Sequence, residues 1–574
     1  MNNNHYSKIF IVFKLRNSSF RISIKKVVHF LAYLIPVLFF GHIYLERYMK
    51  YSFPLGWDTA YYLYIARLLE QIGIEETFYH PRVLGTYIIP SFLISLLNIF
   101  TQDAFLSVKI LQLVSVTILL IASVKIMLSR FNGNMKKLHC LFFPALALSF
   151  LSWWTPIRLA ADLLGTFTNF TLIIALLILV SHVLRANGSP IFLISLGIIS
   201  GVLMGLSHVF IGIFFSFILM MDFFLLLAVT KSFKKVMMRE GYFYVPFALS
   251  SLGYFFFIIK IRPGILSWLY TPPKAQPLNV TDLFDLFLFS KSMGYYLTPL
   301  SILSSILFVT FVLKSIISRE SPVDKELVSP HALPYRVLLI LSAFNILSCI
   351  LFRVLPPPMN QFLKFSARGI LMTHVPVLIT FIIEKSVEIC RHEKKARIIL
   401  ITSMIVFLVT SSFLALPYQY KEVSIHLKPF IYNSDFMSEL SLLRNELEEK
   451  YQAGEHIPLI IIYVGNDSKP YQDFSELIDN WIGAFIGEHL TFFGTLDEFV
   501  LLQSSLSGKF WFIDYQNTRT INSLTKDNLC ERGIYAFVLT SIYQYHELES
   551  LDYQLKGRCK MRLKVISSVE DGKW

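Results

Sequence analysis

Charge is scarce in this chain, cysteine scarcer, and metal-ligand spacing is missing. Only 16% of the 574 residues are charged, against about 25% in a soluble globular protein, which is too few to clothe a water-facing surface of that size. The five cysteines (Cys140, Cys349, Cys390, Cys530, Cys559) form no Cys-x-x-Cys pair and no Cys/His ligand spacing, so a zinc ribbon or finger is excluded. Cys530 and Cys559 alone are placed to pair as a disulfide. There is no internal repeat and no low-complexity tract, and no acid precedes Glu46.

What fills the chain instead is apolar. Hydrophobic residues make up 54%, phenylalanine alone accounts for 52 positions, and the mean hydropathy is +0.56. This is the composition of a polytopic α-helical membrane protein. A net charge of +13 would suggest nucleic acid in a soluble chain, but these cations cluster in short segments between apolar runs. The positive-inside rule expects that pattern, so the basic balance reports orientation, and nucleic acid is not expected as a partner.

Runs of about twenty apolar residues place eleven candidate spans at 27–45, 105–129, 141–156, 162–184, 190–208, 209–229, 242–259, 295–317, 336–352, 369–386 and 397–416. Residues 1–26 form a basic cytoplasmic N-terminus with Lys8, Lys14, Arg16, Arg21, Lys25 and Lys26, and with the first span they read as an uncleaved signal anchor. Alternate threading then puts Arg130/Lys136/Lys137, Arg185, Lys231/Lys234/Lys235/Arg239, Lys314/Arg319/Lys325/Arg336 and Lys385 to Arg397 inside. Leu84 to Phe100 is nearly long enough to cross, but crossing would invert every later basic loop. It is therefore expected as a re-entrant or juxtamembrane helix, with Pro90 as a break.

The transmembrane domain thus covers 27–416, with a first outer loop at 46–104. Residues 417–574 change character: charge rises and short apolar runs alternate with helical patterns. Strands are expected at 458–465, 490–493, 509–514 and 534–540, with helices at 434–452, 473–486 and 496–506. That alternation predicts an extracytoplasmic α/β domain with a largely parallel sheet. It holds neither Gly-x-Gly-x-x-Gly nor a phosphate-binding Gly-x4-Gly-Lys pattern, so it reads as a non-catalytic cap or an acceptor-binding module.

Chemistry is to be sought in the outer segments. Asp58, in Gly56-Trp57-Asp58, stands just before a helix expected over 59–72, with Tyr62, Ile65, Ala66, Leu69 and Ile72 on one face. Capping would explain an Asp there, as would a base at the bilayer surface, and His80-Pro81-Arg82 follows in the same loop. Asp162 lies at the outer mouth of a span, where an acid is either paired, here with Arg158, or functional. The segment Arg353 to Arg368 holds Arg353, Lys364 and Arg368 and no acid. Guanidinium groups at headgroup height fork onto phosphate oxygens or snorkel. His208, after Gly205-Leu206-Ser207, marks another outer helix end, and Asp222 is expected to pack against a polar partner.

Gly56-Trp-Asp-Thr-Ala-Tyr-Tyr-Leu63, His80-Pro-Arg-Val-Leu84, Arg158-Leu-Ala-Ala-Asp162 and Phe362-Leu-Lys-Phe-Ser-Ala-Arg368 together resemble the GT-C superfamily of integral-membrane glycosyltransferases. That superfamily includes protein O-mannosyltransferases, aminoarabinose transferases and oligosaccharyltransferase catalytic subunits. The resemblance covers roughly 27–416. It implies a polyprenyl-phosphate-linked sugar donor and an acceptor glycan, lipid or protein. It also implies a base or metal ligand at Asp58, an assisting acid at Asp162, and a lipid-phosphate anchor at Arg368. Any divalent metal would fall on Asp58 and Asp162. No Trp-Trp-Asp occurs in the outer domain, so peptide-asparagine transfer is not implied. A transporter or flippase of lipid-linked saccharide, and a non-catalytic scaffold, are the rival readings.

Overall fold

Helix length follows from the apolar runs, and where the runs are interrupted the chain turns. The computed structural model describes residues 10–15, 18–23, 59–80, 85–128, 164–230, 232–266 and 329–351, five later strands between 459 and 566, and isolated residues between these. The expected spans at 27–45, 141–156, 295–317, 369–386 and 397–416 lie outside the described segments, as do the expected helices of the C-terminal part.

The helical body begins with α1 (Thr59–Gln71) and α2 (Gly73–Tyr79). It continues with α3 (Ile88–Thr101), α4 (Ala104–Leu128), α5 (Leu164–Arg185) and the long α6 (Pro190–Thr230). A short α7 (Phe233–Val236) and a π-helical turn, Met237–Gly241, then lead into α8 (Tyr242–Ile261), and α9 follows at Leu333–Leu351. Thr168–Arg185, Pro190–Thr230 and Met237–Ile261 are each long and apolar enough to cross a membrane.

Residues 84–100 behave otherwise. At about 1.5 Å per residue the 14-residue α3 reaches only ~21 Å, short of a hydrocarbon core of about 30 Å. The chain then bends by 118° into α4. The break is at Gln102, whose φ is +52, followed by Asp103, whose Oδ1 accepts from the backbone N–H groups of Phe105 and Leu106 and starts α4. Pro90 does not interrupt the helix as the sequence suggested. It sits in the first turn of α3, where a missing N–H costs nothing.

A 41-residue α6 would be about 61 Å long if straight, twice a bilayer core. It does not run straight. His208, with φ −164 and ψ 101, is extended inside it. Before it, Gly197, Gly201 and Gly205 approach Phe243–Phe247, Phe247–Ser251 and Tyr254 of α8 in ascending order. After it, Gly212 approaches Ser251, Phe215 meets Phe247 edge to face and Asp222 meets Tyr244, in descending order. The two arms therefore run antiparallel, folded at the Ser207-His208 turn that separates the spans expected at 190–208 and 209–229. The glycines repeat every fourth residue, so one stripe of the first arm lets the backbone of α8 come close.

Asp222 finds the polar partner expected of it. Arg336 donates through Nε and Nη2 to its two carboxylate oxygens at 2.6 and 2.9 Å, and Tyr244 donates its hydroxyl to Oδ2 at 2.6 Å. Glu240 lies 3.7 Å from Arg336 and 3.1 Å from Arg239. Arg336, grouped above with the inner loop cations, is instead fully buried, and its forked geometry matches a carboxylate.

In the C-terminal part, β3 (Leu459–Val464), β4 (Leu490–Phe493), β5 (Phe510–Tyr515), β6 (Tyr535–Ser541) and β7 (Met561–Ile566) form one parallel sheet in the order β4-β5-β3-β6-β7. The first four coincide with expected strands; β7 was not anticipated. Another unanticipated element lies within the basic N-terminus, where β1 (Phe10–Leu15) and β2 (Ser18–Ser23) pair antiparallel.

Candidate functional site

A break in a buried helix strands backbone groups that need new partners. At the α6 fold, Asn169 of α5 donates its amide nitrogen to the carbonyls of His208 (3.3 Å) and Met204 (3.5 Å). The N–H of Val209 donates to Thr86 Oγ1 at 3.3 Å, and the N–H of Tyr87 donates to the Ser207 carbonyl at 3.2 Å. The segment after α2 is thus the piece that closes the fold of α6. His208 is buried there, its Nε2 3.4 Å from the Tyr87 hydroxyl and the two rings edge to face at 5.2 Å.

That same segment is fastened to α8. Gly85 has φ +68, and a Cβ on it would collide with Ile258, so both the backbone angle and the close approach call for glycine. The Tyr254 hydroxyl donates to the Gly85 carbonyl. Arg262, just past α8, donates from one terminal nitrogen to the carbonyls of Tyr79 (2.5 Å) and His80 (2.8 Å). Val83 N–H donates to the His80 carbonyl at 2.9 Å, the i to i+3 bond of a turn.

Helix α1 completes the junction. The rings of Tyr61 and Tyr62 lie 6.0 and 5.3 Å from that of Tyr87, and Tyr64 lies 6.0 Å from His80. Thr59, Ala60, Tyr62 to Ala66, Leu68 and Leu69 are buried. The one-faced amphipathic helix expected from the sequence is therefore buried over most of its circumference, because α3, α4 and the side chains of His80, Val83 and Tyr87 pack on it. Ala484, from the C-terminal part, also packs on the cluster formed by Tyr64, Ile65 and Leu68.

Of the residues singled out from sequence, His80 and His208 are described and both stand at this junction. Asp58, Asp162, Arg82, Arg353, Lys364 and Arg368 lie outside the described residues. Their neighbours are informative in two cases. Asp58 directly precedes α1, whose first turn reaches Tyr87, and Asp162 is two residues before α5, whose Asn169 binds the His208 turn. Among the described residues no three His, Cys, Asp or Glu side chains gather as a metal group, and the pair Asp58 and Asp162 lies outside them.

Sequence reasoning missed Tyr87, Asn169, Tyr254 and Arg262. Two had a signal. Arg262-Pro263-Gly264 is a helix-stop pattern carrying a cation, and Asn169 is a polar side chain in an apolar span, where such groups find hydrogen bonds.

Among solved structures, the chain is similar to ArnT from Cupriavidus metallidurans bound to undecaprenyl phosphate, at 12% identity and a TM-score of 0.46, over 92% of this chain and 95% of that one. It is also similar to the apo oligosaccharyltransferase of Archaeoglobus fulgidus, at 13% identity and 0.44, over 81% of this chain. It spans 64% of that enzyme's length, less than two thirds. No family model and no curated protein matches.

Proposed function

We propose that the protein is a GT-C-type membrane glycosyltransferase that moves a sugar from a polyprenyl-phosphate-linked donor to an acceptor on the extracytoplasmic side. The observation that carries this reading is convergence. Helix α1, which Asp58 directly precedes, packs on Tyr87 beside His208, and α5, which begins two residues after Asp162, binds the His208 turn through Asn169. The meeting of these two helices supports a site for the sequence-chosen acids at that end of the helical body.

Asp58 acts as base. It takes the proton of an acceptor hydroxyl as that oxygen bonds to the anomeric carbon, while the bond from that carbon to the phosphate oxygen breaks and the electron pair leaves with the polyprenyl phosphate. Arg368, with Lys364 and Arg353, balances the charge gained by the departing phosphate, and Arg82 and His80 approach it from the first loop. Single displacement inverts the anomeric centre. If a divalent metal takes part, Asp58 and Asp162 are the carboxylates that hold it. Residues 417–574 receive the acceptor or cap the site, a role that the packing of Ala484 against the α1 cluster supports.

Transfer from a radiolabelled polyprenyl-phosphate sugar into membrane extract, by wild type and by Asp58→Ala, tests the reading. Loss of about 10²- to 10⁴-fold in the variant is the size expected of a missing general base. Equal activity would remove Asp58 from the mechanism. Absence of transfer in both would favour a flippase or a scaffold.

A further inference from the structure

We propose that Arg262 is a positioning residue: by holding the carbonyls of Tyr79 and His80 it fixes the start of the turn that carries His80, one of the first-loop side chains proposed above to meet the donor phosphate. The inference rests on the transferase reading above and adds a residue that the sequence did not point to. An arginine at the rim of the site would be expected to serve as a phosphate ligand itself, since guanidinium forks fit phosphate oxygens. Here one terminal nitrogen of Arg262, Nη2, is already committed, at 2.5 and 2.8 Å, to two successive backbone carbonyls.

Those carbonyls are well chosen for control of the turn. Tyr79 ends α2, where helix carbonyls lack intrahelical donors and attract a cation. The His80 carbonyl also accepts the Val83 N–H that closes the turn. Pro81 restricts the backbone at the next position, so the corner has little freedom once its first residue is held. On the far side, the Gly85 carbonyl is held by Tyr254, eight residues before Arg262 and about 12 Å along the same helix. Helix α8 therefore grips this segment at His80 and again at Gly85. Its other arm of contact is the α6 fold, through Thr86 and Tyr87. Arg262 is the only charged side chain in this described set of fastenings, and removing it frees one end of the turn while leaving the other held.

The test uses the full-length protein in lipid nanodiscs and compares wild type, Arg262→Gln and Arg262→Lys. Hydrogen exchange at residues 77–83 is measured without substrate. It should accelerate at least tenfold in Arg262→Gln, with residues 236–247 near Asp222 unchanged, and return towards wild type in Arg262→Lys. In the transfer assay, Arg262→Gln should raise KM for the polyprenyl-phosphate sugar about tenfold while kcat falls less than threefold. Raised KM with unchanged exchange would mean that Arg262 binds the phosphate directly and would overturn the positioning role, as would unchanged KM with faster exchange. If wild type transfers no sugar, the transferase reading fails. The exchange result then still decides whether Arg262 holds the turn.

Discussion

The two ends of the α6 hairpin are built on opposite principles. Asp222 lies 14 residues beyond His208, about 21 Å along the second arm. At its end, Asp222, Arg336, Glu240, Arg239 and Tyr244 satisfy one another by charge and hydrogen bonds in a buried cluster. At the His208 end the fastenings are backbone groups, hydroxyls, an amide and aromatic edges, with Arg262 at the rim. Charges that cancel inside a cluster lock helices together and leave nothing for a ligand. Neutral fastenings hold the chain in place without an internal charge pair. On the proposed function, the charged end serves stability and the His208 end carries the site.

The largest expected effect breaks the charged end. Asp222→Ala leaves Arg336 buried without its carboxylate and should cost about 3–5 kcal/mol, read as a drop in thermal midpoint in detergent. The double replacement Asp222→Leu with Arg336→Met should recover much of that loss, because removing both charges removes the desolvation cost as well. A midpoint insensitive to Asp222→Ala would dissolve the contrast between the ends.

A smaller effect tests the packing that joins them. A side chain at Gly201 would collide with Ser250 and press on the Phe247 carbonyl, so Gly201→Leu should destabilise by about 1–3 kcal/mol through overpacking. Gly253, with nothing near its missing Cβ, is the control, and Gly253→Ala should leave the midpoint unchanged or slightly raised.

The smallest effect on stability sharpens the functional end. Tyr254→Phe removes one hydrogen bond to Gly85 and should cost about 1 kcal/mol. Its transfer activity should nevertheless fall more than that of Gly201→Leu when both are assayed well below their melting points. The reverse order would mean that the Gly85 side of the turn has no bearing on the site.

Local pattern accounts for what was readable beforehand. A central strand buried on both faces reads as an unbroken apolar run, and Leu459-Ile-Ile-Ile-Tyr-Val464 is found at the middle of the sheet. The edge strand Met561-Arg-Leu-Lys-Val-Ile566 was missed although its alternation of apolar and basic residues is an edge-strand signature. The Ser207-His208 fold was legible because a polar pair interrupts a run too long for one crossing. Pro90 misled because proline stops a helix only beyond its first turn.

Composition and hydropathy by themselves marked the runs long and apolar enough to cross a membrane, where most of the described helices start and stop, and which acids and cations are candidates for chemistry. These are properties of consecutive residues, and solvent transfer acts on each segment nearly independently. Only the tertiary structure decided that Arg336 belongs to Asp222 rather than to a basic loop. It also decided that Arg262 belongs to the carbonyls of Tyr79 and His80, and that the segment after α2 closes the break at His208. Those pairings join positions more than a hundred residues apart. Each depends on one side chain reaching one unsatisfied group, a match that hydropathy and spacing do not encode.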